Sequence, residues 1–243
     1  MKLKWFALCS IMAISSHVWA NVVVSENFDS YTSTLEMQAN WSAGAGALAI
    51  GQGNGGGNAA SHPGGTVNSW IGSSFSLLPS DSQPIIFSAD IFDDGASANK
   101  RMTVGLRNGA DPLFEMGFYN SPSHYVVRVL NMYGNQNWVQ IPLQPNSPVV
   151  GWHRFTATFT GSSLTVTLDL NSNGVIDSTF VSTGSPSATP FVDLRFGGPS
   201  NLSSAGGGAL FDNISLRQVP EPSSIALLGL CLTGLVGYRR RRG

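Results

Sequence analysis

Short apolar alternations, separated by clusters of glycine, asparagine, proline and serine, limit the fold of this chain more than any other feature. In the segment 164–170, leucine or valine occupies every second position, and threonine or aspartate lies between them. Successive residues of a β-strand point to opposite faces, so this pattern predicts a strand with one buried face. No long segment has the periodicity of a helix, and we expect helical structure only as a turn near Thr32–Asn40. The sequence therefore predicts an all-β domain, an antiparallel sandwich or barrel.

The alternating segments divide the middle of the chain into predicted strands. These are Asn21–Phe28, Ser69–Leu77, Pro84–Phe92, Arg101–Arg107, Leu113–Tyr119, His124–Asn131, Trp138–Leu143, Trp152–Phe159, Ser163–Leu170, Gly174–Val181, Phe191–Gly197 and Ala209–Arg217. The segment Gly44–Gly65 is rich in glycine, alanine and asparagine, and we expect a long surface loop or an edge region there. The apolar fraction of the chain, 42%, argues against disorder and favours one sandwich domain over residues 21–217.

Residues 1–20 have the composition of a secretory signal peptide. Basic residues open the chain, an apolar run covers Trp5–Ile14, and the small residue Ala20 precedes the expected cleavage point. The apolar run is too short to span a membrane, so we expect export followed by cleavage. The two cysteines, Cys9 and Cys231, lie in the apolar end segments. We therefore expect neither a disulfide framework nor a thiolate metal site in the domain.

Residues 218–243 combine a proline-rich turn, an apolar span and a basic cluster. The apolar span Ile225–Tyr238 is predicted to form a short membrane helix. Basic residues that flank a membrane helix stay on the cytoplasmic side. We therefore expect the domain outside the inner membrane and the end of the tail in the cytoplasm. The basic cluster consists of Arg239, Arg240, Arg241 and Arg242.

This tail resembles the PEP-CTERM sorting signal, which is also called the ice-binding protein C-terminal domain. The resemblance rests on Val219, Pro220, Glu221 and Pro222, followed in order by the apolar span and the arginine cluster. It implies recognition by an exosortase, cleavage near the proline pair, and transfer to the surface or the exopolysaccharide matrix of a Gram-negative bacterium. A permanent C-terminal anchor is the alternative. The second name belongs to the tail and is no evidence that the domain binds ice.

Several strings in the domain resemble the concanavalin-A-like lectin/glucanase jelly roll. Glu26–Tyr31 is similar to the opening strand of such domains, and Ala209–Leu216 is similar to the closing strand. Gly151–Phe159 and Leu164–Leu168 resemble their paired central strands. The resemblance implies a jelly-roll β-sandwich, and other jelly-roll carbohydrate-binding modules share the same opening and closing pattern.

The charge of the domain excludes one class of partner. Seven basic and thirteen acidic residues give it a net charge near −6. Nucleic-acid binding requires a basic surface that neutralises phosphates, and the domain has no basic patch in its sequence. We therefore expect no nucleic-acid partner.

Carboxylates near the two ends of the domain predict a calcium site. The first and last strands of a jelly-roll sandwich lie side by side, which would bring Glu26 and Asp29 close to Asp212 and Asn213. Such oxygen ligands suit Ca²⁺, and clustered carboxylates repel each other when no cation is present. The alternative is that Asp29 and Asp212 cap strand ends by accepting hydrogen bonds from loop backbone. We expect no cofactor apart from this structural Ca²⁺.

The string Asp169–Asp177 resembles the start of an EF-hand or dockerin calcium loop. Oxygen-bearing side chains occupy positions 1, 3, 5 and 9 of the loop, and Gly174 occupies position 6. Phe180 stands where the family has a bidentate carboxylate, and no helices flank the string. We therefore favour a β-hairpin that turns at Asn173–Gly174.

The sequence does not contain a recognisable catalytic pair. Glucanases of the resembled fold carry a Glu-x-Asp-x-x-Glu strand, and retaining chemistry requires two carboxyl groups about 5 Å apart. The nearest string, Asp90–Asp94, lacks that spacing, and Glu115 stands alone. His62, His124 and His153 lack metal-ligand spacing, and no Gly-x-Ser-x-Gly elbow occurs. We predict a domain that is not an enzyme.

Aromatic residues beside amide side chains predict a sugar contact. Rings of tyrosine and tryptophan stack on the C–H faces of sugars, and amides bond to sugar hydroxyls. We predict the glycan-binding residues within one string, as Tyr133, Asn135, Gln136, Asn137 and Trp138. Core packing is the alternative for Trp138, and Trp152 is expected in the core.

Two functions remain open. One is a non-catalytic, glycan-binding or matrix protein of the exopolysaccharide layer, and the other is a structural or adhesive envelope protein without a specific sugar ligand. A divergent glycoside hydrolase is a less favoured alternative. Ice binding would require a flat, threonine-rich face, and the pair Thr165 and Thr167 is too short to predict one.

Overall fold

A computed structural model of the chain describes residues 21–96, 99–109, 111–119, 124–142, 147–199 and 206–219, with only the backbone described at 111–113. These residues belong to the unit that spans Ala20–Pro220. The predicted signal peptide, membrane helix and arginine cluster lie outside the described residues. Within the described ranges, no helix is long and apolar enough to cross a membrane.

Almost all of the regular secondary structure in the described chain is β-strand, and the predicted all-β class is confirmed. Its strands are β1 (Asn21–Glu26), β2 (Ala47–Ala49), β3 (Ala59–His62), β4 (Val67–Ser69), β5 (Ile85–Asp93), β6 (Met102–Asn108), β7 (Asp111–Phe118), β8 (Tyr125–Val129), β9 (Val139–Gln140), β10 (Gly151–Phe159), β11 (Ser163–Asp169), β12 (Ser178–Thr183), β13 (Asp193–Gly197) and β14 (Ala209–Gln218). The helical segments are α1 (Thr34–Gln38) and a 3-10 turn at Leu170–Ser172.

The strands form two antiparallel sheets. The eight-stranded sheet has the order β12-β11-β10-β5-β14-β3-β2, and β1 pairs with β14 beside β3. The six-stranded sheet has the order β4-β13-β6-β7-β8-β9. The first and last strands are neighbours, as expected for a jelly roll, and Val24 lies opposite Leu216.

The hydrophobic core lies between the two sheets. In β10, His153, Phe155, Ala157 and Phe159 are buried, and the residues between them are at least partly exposed. Buried rings from the two sheets meet in the core, as where Phe114 of β7 packs edge-on against Phe159 of β10 with centroids 4.9 Å apart. The period-two alternation of the sequence thus gives each long strand of the eight-stranded sheet one core face and one outer face.

The short helix begins where the sequence supplies a capping pair. Ser33 Oγ accepts a hydrogen bond from Glu36 N at 3.3 Å, and the Glu36 carboxylate accepts one from Thr32 N at 2.7 Å. These contacts satisfy backbone donors that a helix leaves without partners at its first turn. Met37 is the residue of α1 that is buried.

Several predicted segments differ from the observed strands. β9 spans Val139–Gln140 where Trp138–Leu143 was predicted, and β12 begins at Ser178 where a strand was predicted from Gly174. Most of the predicted strand Ser69–Leu77 is wrong, because β4 ends at Ser69 and the chain then folds back over Trp70, whose indole N–H donates to Ser73 O at 3.0 Å. The glycine-rich segment Gly44–Gly65 was expected to form a surface loop or an edge region, and it forms an edge region. It contributes β2 and β3 to one edge of the eight-stranded sheet.

Candidate functional site

The outer face of the eight-stranded sheet carries a row of hydroxyl side chains that crosses neighbouring strands. Each member lies directly opposite the next in the antiparallel register, from β1 through β14, β5, β10 and β11 to β12. All of them are half-buried or exposed. This hydroxyl row consists of Ser25, Ser215, Ser88, Thr156, Thr167 and Thr179.

A groove of about 550 Å³ lies over one part of the hydroxyl row. Ser25, Ser215, Ser88 and Thr156 line it. Side chains from the neighbouring positions of the same strands complete the lining. These include Asn27, Ile86, Arg154, Asn213 and Arg217. The groove therefore offers hydroxyl, amide and guanidinium groups, which can donate hydrogen bonds, together with hydroxyl and amide oxygens, which can accept them.

Arg154 is held in place at the groove by Asp90. Its Nε donates to Asp90 Oδ1 and its Nη2 donates to Asp90 Oδ2, each at 2.7 Å. Asn54 and Asn213 also donate their amide N–H groups to Asp90 Oδ2, at 2.7 and 2.9 Å. The hydrogen bonds to Asp90 raise the pKa of Arg154. The Arg154 side chain remains 44% exposed, so a fixed guanidinium faces the groove.

Asp212 attaches the glycine-rich segment 51–58 to the sheet. Its Oδ2 accepts a hydrogen bond from Asn54 N, and its Oδ1 accepts one from Asn213 N, each at 2.7 Å. Burial, together with the carboxylates of Asp90 and Asp29, raises the pKa of Asp212 to about 6. The segment is therefore held by a carboxylate that titrates near neutral pH.

Three of the four predicted calcium ligands lie around this segment. Asp212 and Asn213 are adjacent on β14, and Asp29 Oδ1 accepts a hydrogen bond from Asn58 N at 2.7 Å. Asp29 and Asp212 thus accept hydrogen bonds from loop backbone, which is the alternative to calcium binding given for them. Among the described residues, no group of three or more histidine, cysteine, aspartate or glutamate residues could hold a metal ion. Calcium binding stays a prediction.

Glu26, the fourth predicted ligand, belongs to a separate buried network. Its Oε1 accepts a hydrogen bond from Phe28 N at 2.7 Å. Its Oε2 accepts from the Tyr31 hydroxyl at 2.5 Å and from the Trp41 indole N–H at 3.1 Å. Burial and the bond to Glu26 raise the pKa of Tyr31. Both oxygens of Glu26 therefore stabilise the aromatic end of the core.

The residues of the predicted glycan-binding string lie in different environments. Tyr133 is 1% exposed, and its hydroxyl donates to Thr160 O at 2.6 Å. This burial removes Tyr133 from the predicted contact set, because its ring has no face toward solvent. Asn135 Oδ1 accepts a hydrogen bond from Asn131 N at 2.8 Å, within the turn itself. Gln136 joins the turn to β12, since its amide donates to Ser182 Oγ at 3.1 Å.

Trp138 forms a stack with neighbouring side chains beside the six-stranded sheet. It lies nearly parallel to Tyr119, with centroids 4.5 Å apart and planes inclined by 13°. The Arg128 guanidinium lies over the Trp138 ring at 5.2 Å, and its Nε donates to Asn137 Oδ1 at 2.9 Å. Arg101 lies over Tyr119 at 5.7 Å. These contacts occupy part of the Trp138 ring, which is half-buried, and its role as a sugar contact stays a prediction.

Trp152 lies on the outer face, so the expectation that it belongs to the core is wrong. It is half-buried and sits opposite Phe92 of β5, with ring centroids 5.5 Å apart. Its neighbour His153 takes the core position instead, where the His153 ring contacts Tyr125 edge-on. The alternation of β10 gave Trp152 and Arg154 the same outward orientation, and this could have been predicted from the segment itself.

The calcium-loop string forms a hairpin, as the sequence favoured, but the connection runs over residues 170–177 and includes the 3-10 turn Leu170–Ser172, so it is longer than the predicted turn at Asn173–Gly174. Strands β11 and β12 pair antiparallel on either side of it. Asp169 accepts hydrogen bonds from Asn173 N at 3.0 Å and Gly174 N at 2.8 Å, and Asp177 Oδ2 accepts one from Leu170 N at 2.7 Å. Gly174 has a φ of 87°, as expected for the turn.

The histidines and remaining carboxylates occupy structural positions. His124 Nε2 bonds to Asp93 Oδ2 at 2.5 Å, and Lys100 Nζ bonds to Asp93 Oδ1 at 3.2 Å. These three residues are buried, as is His62, whose pKa burial lowers to about 4. None of them lines the groove.

The tail of the chain matches a known protein-family motif. Residues 218–242 match the PEP-CTERM protein-sorting motif. The sorting signal predicted from Val219, Pro220, Glu221 and Pro222 is thereby confirmed. Val219 is the described residue of this quartet, and its N–H donates to Pro84 O at 2.9 Å, so pairing with the sheet continues to the start of the sorting motif.

Solved structures of low sequence identity are similar to this chain. Domain 4 of AbnA, a GH43 extracellular arabinanase from Geobacillus stearothermophilus, in complex with arabinotriose, is 14% identical with a TM-score of 0.50, over 85% of this chain and 97% of that chain. The T. cruzi calreticulin globular domain is 13% identical with a TM-score of 0.49, over 86% and 92%. The CBM2 module of the Lactobacillus casei BL23 phage J-1 evolved Dit is 14% identical with a TM-score of 0.48, over 82% and 96%. These likenesses concern the fold alone. No curated protein matches the sequence.

Proposed function

We propose that this protein is an exosortase-processed surface protein whose sandwich domain binds a glycan without catalysis, in the groove on the outer face of the eight-stranded sheet. The observation that carries the proposal is the hydroxyl row beneath the groove. The pairing register of the strands places one small polar side chain of the row on each strand that crosses the groove floor.

The lining of the groove suits a sugar chain. Serine and threonine hydroxyls both donate and accept hydrogen bonds, as sugar hydroxyls do. Their small size leaves the volume of the groove open to a ligand. Arg154 and Arg217 add donors from two strands, and Arg154 is already oriented by Asp90. Prior orientation of a binding group lowers the entropy that binding costs.

A non-catalytic role agrees with the acidic residues at the groove. Glu26 is the carboxylate among the described residues that line it, and both of its oxygens accept hydrogen bonds from the protein. Glycoside hydrolysis requires a pair of carboxyl groups on either side of the bond that breaks. The groove therefore supports binding better than cleavage.

The sorting motif supports a location outside the cell. In this proposal the apolar tail holds the protein in the inner membrane of a Gram-negative bacterium until an exosortase cuts near Pro220–Pro222. The domain then reaches the cell surface or the exopolysaccharide matrix, where its ligand is a component of that matrix.

Glycan binding is tested with a glycan array followed by titration calorimetry on the purified protein. The double variant Ser88→Ala/Thr156→Val removes two hydroxyls from the groove floor, and we expect it to lose most of the affinity. Thr158→Val, which changes the same strand outside the groove lining, is the matched control. Silence of the wild-type protein across diverse glycans would instead favour a structural or adhesive role.

A second candidate function, ice binding, is favoured by the register of β10 and β11. Thr156 and Thr158 lie opposite Thr167 and Thr165, and Thr179 extends the array onto β12. Neighbouring strands are about 4.8 Å apart, and alternate residues of one strand are about 6.6 Å apart. The pair seen in the sequence thus becomes a regular array of methyl and hydroxyl groups. Measurement of thermal hysteresis, with Thr165→Lys as the disrupting variant, tests this function.

A further inference from the structure

A second depression lies at another end of the same outer face. Leu210, Phe92 and Trp152 are side by side on β14, β5 and β10, because Leu210 pairs with Phe92 and Phe92 pairs with Trp152. All three are half-buried, and the Phe92 and Trp152 rings are inclined by 59°. A cavity of about 460 Å³ is lined by Phe92 and Leu210, together with Pro63. We call this cavity the aromatic pocket.

Polar groups form part of the lining of the aromatic pocket. They come from Gln52, Ser61 and Asp94, and from His62, which is 2% exposed. Asp94 Oδ1 accepts hydrogen bonds from Lys100 Nζ at 2.5 Å and Ala96 N at 2.9 Å. The bond to Lys100 holds the pKa of Asp94 below its usual value, so the group is ionised at neutral pH. Its side chain is 52% exposed, and Oδ2 has no partner among the described residues.

The aromatic pocket is separate from the groove. The two share no lining residue. Phe92 and Ser88 are four residues apart on β5, which corresponds to about 13 Å along a strand. Asp90 lies between Ser88 and Phe92 on β5, and it forms an ion pair with Arg154 at the border of the groove.

We propose that the aromatic pocket is a second sugar-binding subsite, for a sugar ring without a carboxylate group. The inference rests on the proposed glycan-binding function. Phe92 takes the C–H face of the ring. Trp152 lies outside the residues that line the cavity, but its ring packs against Phe92 and extends the apolar surface beside it. Asp94 Oδ2, Gln52 and Ser61 bond to the ring hydroxyls. An apolar floor with a few placed polar groups is the usual composition of a ligand pocket.

The charge of the surroundings selects the kind of sugar. Asp94 is at the pocket, where the buried Lys100 pairs with its Oδ1 and its Oδ2 stays exposed. Asp90 and Asp169 lie at neighbouring positions of the outer face, and Arg154 pairs with Asp90 there. The domain as a whole is also acidic, with a net charge near −6. A uronic acid would be repelled, whereas neutral and amino sugars would not. A chain long enough to occupy both sites gains avidity over a short one.

Titration calorimetry on the full chain in detergent tests the subsite, with trisaccharides of glucose, arabinose, glucosamine and glucuronic acid as probes. We expect at least one non-acidic trisaccharide to occupy two sites per chain, and glucuronic acid trisaccharide not to enter the aromatic pocket. Phe92→Leu keeps an apolar side chain but removes the ring, and we expect it to weaken one site about five- to tenfold. Trp152→Leu provides an independent variant should Phe92→Leu unfold, and thermal unfolding verifies both.

The groove variant Ser88→Ala/Thr156→Val separates this inference from the proposed function. Loss of one site in each variant supports both proposals. Wild-type binding in Phe92→Leu and Trp152→Leu, with all binding lost in the groove variant, overturns the second subsite and leaves the groove intact. Binding that is lost in Phe92→Leu but kept in the groove variant supports the pocket and overturns the groove. No binding of any probe overturns both.

Discussion

The outer faces of the two sheets use polar residues in opposite ways. On the eight-stranded sheet, the hydroxyl row is open to solvent and its members are small. On the six-stranded sheet, the register aligns Arg195, Gly105, Glu115 and Arg128 across neighbouring strands. Glu115 accepts hydrogen bonds from Arg195 and, at 3.2 Å, from Arg128. Glu115 is 0% and Arg195 4% exposed, so these charges are buried.

The difference separates a face that supports the fold from a face that is available to a ligand. Gly105 shows how far the six-stranded sheet is adapted to its ion pairs. A Cβ at this position would lie 2.7 Å from Phe114 O and 3.1 Å from Glu115 Cγ, so a side chain there would displace the pair. The members of the hydroxyl row carry no charge and lie half-buried or exposed on the outer face, so no ion pair fixes them in the same way. Mutations on the two faces should therefore affect different measurements.

The largest effect is expected from Glu115→Gln on the six-stranded sheet. The change removes the negative charge that Arg195 and Arg128 share, and an uncompensated buried charge typically costs about 3–5 kcal/mol. Chemical denaturation should show this loss of unfolding free energy. Ser88→Ala on the other face is the control, with an expected change below about 0.5 kcal/mol. Equal losses in the two variants would contradict the division between the faces.

The groove variant Ser88→Ala/Thr156→Val should lower glycan affinity and leave stability nearly unchanged. Each lost hydrogen bond to a ligand is worth about 0.5–1.5 kcal/mol, so the affinity for glycan should fall about five- to a hundredfold. Thermal unfolding should be nearly unchanged, because both side chains point out of the core. Unchanged glycan affinity in a folded variant would move the binding site away from the groove.

The sequence could predict the features of the two faces that depend on neighbouring residues. It could not predict the features that depend on residues far apart in the chain. The alternation in 164–170 predicted β11 to within a residue of its observed end, since strand periodicity is a property of neighbouring residues. The hydroxyl row is different, because it requires Thr167 to lie opposite both Thr156 and Thr179. Register across separate strands depends on turns and on the burial of the other face. No pattern in one segment could have predicted it.

The candidate sugar contacts show a second limit of sequence reasoning. Tyr133 and Trp138 are five positions apart in a polar string, and the sequence predicted both as sugar contacts, with core packing as the alternative for Trp138. Both have positive φ, 44° and 50°, in the connection between β8 and β9, where the Tyr133 ring is buried and the Trp138 ring is half-buried. Turn geometry of this kind is uncommon for non-glycine residues, and the sequence gives no local signal for it.

The edge of the groove face should respond to pH through Asp212. Its pKa rises from 3.8 to about 6 on folding, so the folded protein binds the proton more tightly than the unfolded chain. This contribution to stability is present below about pH 4 and is lost as the pH rises through 6. Asp212→Asn removes the titration. The difference in Tm, variant minus wild type, should therefore increase between pH 4 and pH 7, and a constant difference would contradict the raised pKa.

The smallest effect is expected from Trp138→Ala, and it tests the comparison from the side of the six-stranded sheet. The ring stacks on Tyr119 and lies under the Arg128 guanidinium, so its removal should cost about 1 kcal/mol of stability through lost stacking and cation–π contacts. Glycan affinity should stay within twofold of wild type, because the Trp138 ring lines neither the groove nor the aromatic pocket. Calorimetry on this variant and on Trp152→Leu distinguishes the two tryptophans. If Trp138→Ala lost binding and Trp152→Leu did not, the site predicted from the sequence would be restored. The ligand would then bind beside the six-stranded sheet, on the face to which we assign a role in stability.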